Sequence, residues 1–200
     1  MQSTRTLPFA VLALLLIATQ LTNAFAVPTI FNDFKVGDKL QPQDSNTKSK
    51  YKTINDWDAL VPKDWDPMKD FKKLDMSKMK DSDPRTQELL QQLRDAWNKA
   101  PTEPSMNGKA IRIPGFIVPL EESHHQITEF LLVPYFGGCI HVPPPPSNQI
   151  IHVFPPKPLK NMQTMEAVWV SGTLESFPSD TNMGSAGYRM KAELVEPYKN

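Results

Sequence analysis

The sequence predicts an α+β chain, mainly β, in which five antiparallel strands follow a helical N-terminal extension. Three observations predict it. Runs with strand character fill the chain from Lys109 onward. One amphipathic helical run, Asp83 to Lys99, stands before them. Twenty prolines against eight glycines call for many fixed turns and extended edges.

The first 26 residues carry one charged side chain, Arg5. The apolar run Leu7–Ala18 follows, and then Asn-Ala-Phe-Ala, with small residues at Ala24 and Ala26. This pattern predicts a signal peptide over 1–26, cleaved after Ala26, with Ala24 the second choice. The run is short for a membrane span of about 20 residues; an uncleaved anchor is the alternative. No cysteine lies near the cleavage site to take a lipid, and no later run is long enough to span a membrane. The expected location is therefore periplasmic or secreted. Losing Arg5 leaves a net charge near minus one, from a chain whose acidic and basic groups balance at 22 each. A general nucleic-acid or anionic-membrane binder needs a basic excess, so that class is excluded.

Residues 27–108 read as an irregular and helical extension, and 109–200 as the β domain. In Thr53–Pro62, Ile54, Trp57, Leu60 and Val61 recur at helical spacing and Pro62 ends the run, which predicts a short turn with Trp57 docked on the body. Lys63–Asp83 is charged, with Trp65, Met68, Phe71 and Leu74 as apolar anchors. Met68, Met76 and Met79 are scattered among lysines and aspartates, a pattern that favours packing over a methionine copper site. Asp83 can cap a helix and Pro84 suits its first position. Leu89, Leu90, Leu93, Ala96 and Trp97 make one apolar face, expected to lie on a sheet.

The predicted strands are Lys109–Leu120, Thr128–Phe136, Asn148–Phe154, Glu166–Glu175 and Tyr188–Val195. Gly115 marks a bulge or bend in the first, and Pro114 and Pro119 favour an edge or strand ends. Glu121–Gln126 is a polar turn containing His124 and His125. The second strand is apolar on both faces. Ser176–Gly187 reads as a turn. In the last strand Tyr188, Met190, Ala192 and Leu194 alternate with charged residues. Five strands with few helices to cover them fit a small OB-like barrel, the oligonucleotide/oligosaccharide-binding kind; a twisted open sheet is the alternative.

The densest chemistry lies in Glu129–Val153, which holds the only cysteine, Cys139, with His141, His152 and four consecutive prolines. If Cys139 and His141 lie on a strand, they share a face. A thiolate and an imidazole so presented can begin a zinc or copper site, and His152, His124, His125 or a carboxylate (Glu121, Glu122, Glu129) would have to complete it. They could equally be a nucleophile and base, or a buried thiol beside a hydrogen-bonded histidine. A hairpin of 136–142 with 148–154 puts His152 on the Cys139 face when the two pair, and on the other face when Cys139 pairs Ile151. Gly137-Gly138 admits close approach of a backbone or ligand. Pro143, Pro144, Pro145 and Pro146 form a stiff ridge; with Tyr135, Phe136, Asn148 and Gln149 it is a candidate surface for a partner or ligand, or a rigid loop that holds Asn148 and Gln149.

The segments TINDWDALVP, IRIPGFIVPLE, ITEFLLVPYFGGCIHVPPPPSNQI, VSGTLE and GYRMKAELVEPY resemble the bacterial family catalogued as domain of unknown function 3299, over Thr53 to Tyr198. That pattern usually has alanine at Gly138 and proline at Ser147; neither departure touches Cys139 or His141. The resemblance implies a small exported protein beside ABC-type transporter components, some of them zinc-responsive, and supplies no catalytic residue. The expected function is thus a periplasmic accessory or binding protein, more a binder than an enzyme, that works with an envelope transport system and captures zinc or copper. The alternatives are an interaction module with a structural cysteine, and a thiol-dependent enzyme.

Overall fold

The computed structural model describes residues 34–43, 50–66, 69, 83–123, 126–141 and 144–199. The expected signal peptide, Met68, Phe71, Leu74, Met76, Met79, His124, His125 and Pro143 lie outside the described residues.

The strands are β1 (Lys52–Thr53), β2 (Lys109–Ser123), β3 (Gln126–Val133), β4 (Ile151–Phe154), β5 (Leu159–Lys160), β6 (Ala167–Thr181) and β7 (Gly184–Pro197). One α-helix, α1 (Pro84–Asn98), precedes β2. The strands make a seven-stranded mixed sheet in the order β1-β2-β6-β7-β4-β3-β5. This corrects the expected five-stranded antiparallel OB-like barrel. β1 pairs β2 in parallel, and β4 pairs β7 in parallel. The two strands missed in the sequence are two residues each, too short to show a period.

β2 positions most of the fold. Its first half, to Phe116, pairs antiparallel with β6, and its second half, from Phe116, pairs with β3. The pairings therefore return on themselves, β2–β6–β7–β4–β3–β2. Gly115 stands at the exchange, and the bulges of β2 lie further on, at Pro119–Glu122. A Cβ on Gly115 would lie 2.7 Å from Leu132 Cγ and 2.8 Å from the Val133 carbonyl oxygen. Pro114 is internal to the strand, opposite Trp169, not at an edge. Its carbonyl accepts the Trp57 indole N–H at 2.8 Å.

All five strands of that circuit feed one apolar cluster, with Ile113, Phe130, Ile151, Val170 and Tyr188 among its members. Trp57 and Leu60, from the 3-10 turn Trp57–Leu60, belong to it too, so the predicted docking of Trp57 holds. A second cluster gathers Phe116, Val118, Leu131, Ile150 and Trp169, with Phe34, Phe136 and Cys139 against it.

Three local expectations change. β6 and β7 run through most of the expected turn Ser176–Gly187 and form one long hairpin, reversing at Asn182-Met183. Ser, Pro and Gly suggested a loop there, but strand pairing overrides composition. Opposite Ser171 and Gly172 of β6, a register shift leaves Glu193 of β7 without a cross-strand partner and breaks the alternation, so Leu194 is exposed and Val195 packs on the core instead. Helix α1 starts as predicted, with Asp83 accepting from Arg85 N–H. Its face (Leu89, Leu90, Leu93, Ala96, Trp97) is only half-buried, and Thr86 is its one fully buried residue. No helix among the described residues is long and apolar enough to cross a membrane.

Candidate functional site

Cys139 and His141 sit in a tight turn, not on a strand. Gly137 (φ 86°) and Cys139 (φ 66°) both take left-handed backbone. The Gly137 carbonyl accepts from Ile140 N–H at 3.2 Å and His141 N–H at 2.8 Å. Those amides are spent inside the turn, so no hairpin of 136–142 with 148–154 forms. β4 pairs instead with β3, Leu131 opposite His152. Neither register weighed for Cys139 exists.

The thiol of Cys139 is half-buried against the second apolar cluster. Burial pushes its pKa up to about 11, so it is protonated at neutral pH. His141 is exposed. Tyr135 is half-buried, and burial raises its phenol. Phe136 is half-buried, with its ring 5.9 Å from Phe34 and 5.6 Å from Phe116.

The proline segment serves the fold. Pro145 is buried, Pro144 and Pro146 are half-buried, and Pro146 leads into a 3-10 turn, Ser147–Gln149. From that turn Asn148 Nδ2 donates to Pro101 O at 2.9 Å, and Gln149 Nε2 donates to Asp58 Oδ1 at 3.0 Å. These contacts clamp the extension onto the sheet, the rigid-loop reading of the segment.

His152 lies elsewhere, in a constellation not recognised from the sequence. Its neighbours across the sheet are Leu131 and Arg189, which share its face. Glu129, two residues before Leu131, is on that face as well. His152 Nε2 is hydrogen-bonded to Glu129 Oε1, and Nδ1 lies 2.9 Å from Ser179 Oγ. The imidazole packs on Phe154, ring centroids 4.5 Å apart. Beside it, Arg189 pairs with Glu175 at 2.6 Å and covers the Phe177 ring at 3.9 Å. Ser179 stands just past a bulge in β6, where an extra residue changes the phase of the strand. Sequence reasoning missed Ser179 because it placed that segment in a turn. The one available signal was the Glu129/His152 pair of polar residues in apolar strands.

Among the described residues, no three His, Cys, Asp or Glu side chains are gathered to ligate an ion. Both nitrogens of His152 are already engaged, and Cys139 holds its proton. Apart from both places, a groove of about 600 Å³ is lined by Phe34, Asp38, Lys39, Gln41, Gln43 and Tyr198.

A family model described as a protein of unknown function, DUF3299, matches residues 57–197, a span that contains Glu129, Cys139, His152 and Ser179. The chain is similar to a crystal structure of a DUF3299 family protein from Pseudomonas aeruginosa PAO1, with 33% identity, TM-score 0.57, and coverage of 75% of this chain and 97% of that one. A putative aspartyl-tRNA synthetase from Leishmania major Friedlin shares 9% identity over 52% of this chain and 19% of its own, at TM-score 0.33, too low to bear on fold or function. No curated protein matches.

Proposed function

The chain belongs to the DUF3299 family, and on the placement of its site residues we propose that it is an exported, periplasmic accessory protein that docks a component of an envelope transport system, of the ABC type. Export rests on the apolar run Leu7–Ala18 and the small-residue cleavage pattern after it. The observation that carries docking is the turn at Gly137–His141. It turns the half-buried Cys139 toward the second apolar cluster and leaves Ile140 exposed at 37%; Val36, exposed at 51%, reaches the same turn. A Cβ at Gly137 would lie 3.2 Å from a Val36 methyl. Two exposed apolar side chains at one turn suit a hydrophobic anchor of a protein partner. The test is a photo-reactive residue at position 140 in the exporting cell, with position 194 on β7, exposed at 45%, as the control. A crosslink to a transporter component from 140 alone supports docking. Equal crosslinking from both positions, or none, removes it.

One observation favours a second reading, capture of zinc or copper: a single turn carries both Cys139 and His141. A thiolate and a neutral imidazole would hold the ion, which releases as falling pH protonates them.

A further inference from the structure

We propose that Glu129, His152 and Ser179 form a nucleophile-activating relay, with Ser179 attacking carboxylic esters of small apolar acids. This reading goes beyond partner docking and uses none of the residues at the Val36/Ile140 corner.

The hydrogen-bond inventory sets the roles. A carboxylate only accepts, so the His152 nitrogen facing Glu129, Nε2, carries the proton. The other nitrogen, Nδ1, is then an acceptor, and its partner 2.9 Å away is the Ser179 hydroxyl, which donates to it. A hydroxyl, a base within reach of its proton, and a carboxylate that orients the base are the parts of an activated nucleophile, recognised by geometry and not by order in the chain. The packing agrees. His152 is 7% exposed and held by the Phe154 ring, so its orientation is fixed, while Ser179 is half-buried and stands past a strand bulge.

The neighbours select the substrate. Arg189 is paired with Glu175 and stacked on Phe177, so its guanidinium is already occupied. Phe177, 46% exposed, offers an apolar surface for an acyl group. In the reaction Ser179 Oγ bonds to the ester carbonyl carbon, and its proton passes to His152 Nδ1 and then to the departing alcohol as the C–O bond breaks. Water hydrolyses the acyl-serine by the same route, releasing the acid and restoring Ser179. Glu129 is a positioning residue that holds the imidazole tautomer.

The experiment treats the purified protein with a fluorophosphonate probe, which forms an Oγ–P bond with loss of fluoride, and with p-nitrophenyl acetate. Expected are a single label mapped to Ser179, none in Ser179→Ala, and a labelling rate that falls on acidification as Nδ1 takes a proton. His152→Gln should slow labelling by about 100-fold, the lower end for removal of a general base. Glu129→Gln, at a site whose side chain is 27% exposed, keeps the shape and should fold if His152→Gln does not. It should lower the rate about 10-fold or more and flatten the pH profile, whereas a merely structural carboxylate would shift only the melting temperature. An unlabelled wild type, a label on another residue, or equal rates in folded Glu129→Gln would overturn the proposal. None of these outcomes touches crosslinking at position 140.

Discussion

The indole N–H of Trp57 donates to the carbonyl of Pro114 at 2.8 Å, across 57 residues of sequence. Pro114 lacks an N–H, and its partner on β6 is Trp169. Trp57 satisfies the carbonyl of a strand position that proline would otherwise weaken. The extension is thereby built into the apolar cluster. Trp57→Ala should destabilise the protein by about 3–5 kcal/mol, as truncation of a buried aromatic does. Trp57→Phe keeps most of the apolar surface but orphans the carbonyl, and should cost about 1–3 kcal/mol. Denaturant melts of the two variants check the order; equal stability of Trp57→Phe and wild type would show that the hydrogen bond contributes nothing.

Gly115→Ala tests the exchange of partners along β2. The new methyl would stand 2.7–2.9 Å from Leu132 side-chain carbons and the Val133 carbonyl oxygen. The oxygen belongs to strand backbone and cannot step aside, so β2 and β3 must separate. A loss of about 1–3 kcal/mol, the usual cost of overpacking, is expected. Hydrogen exchange should rise first at Phe116–Val118 and Leu131–Val133. Gly108→Ala is the contrast, since open space surrounds Gly108 and its positive φ of 75° alone opposes the change.

Elements with local signatures were legible in the sequence. Asp83-Pro84 marked the start of α1, Ile111 and Ile113 marked β2, and the spacing of Trp57 and Leu60 marked a buried turn. What depends on distant partners was not. Nothing local says that β4 pairs in parallel with β7, or that β3 and not 136–142 receives His152. The candidate residues divide on the same line. Cys139-x-His141 reads as two side chains on one face only if the backbone is extended, and a left-handed Cys139 removes that premise. The Glu129–His152–Ser179 constellation joins three strands, so no spacing along the chain could display it.

Cys139 and Tyr188 predict an alkaline limit to stability. Burial raises the thiol from 9.0 to about 11, and it raises the phenol of Tyr188 from 10.0 to about 12. In the unfolded chain both groups shed protons first. Between about pH 9 and 12 the native state therefore binds more protons than the unfolded one, and rising pH favours unfolding. The stabilisation is fully present below pH 9 and lost by about pH 12. Thermal melts should be level from neutral pH to 9 and fall beyond it. Cys139→Ala should delay the onset of the fall, because the groups left to titrate, the phenols of Tyr188, Tyr135 and Tyr198, lose their protons at higher pH than the thiol. A melting temperature that stays flat to pH 11 would show that neither group is held protonated by the fold.

The same buried thiol bears on the metal reading. Capture by Cys139 requires a thiolate, and the ordinary state of this thiol is protonated, so a metal must displace the proton and find further donors. His141 is on the turn, but no three-donor group stands among the described residues. On the capture reading, protein purified without a histidine tag should bind about one equivalent of zinc or copper after reconstitution, and Cys139→Ser should bind none; equal, sub-stoichiometric binding by both removes that reading. Elemental analysis of both proteins, side by side, makes the measurement. One equivalent in the wild type that disappears in a folded Cys139→Ser protein would reinstate the turn as a metal site. It would also mean that Cys139 leaves its apolar cover to bind, since its present packing against the second apolar cluster offers a proton-bearing sulfur.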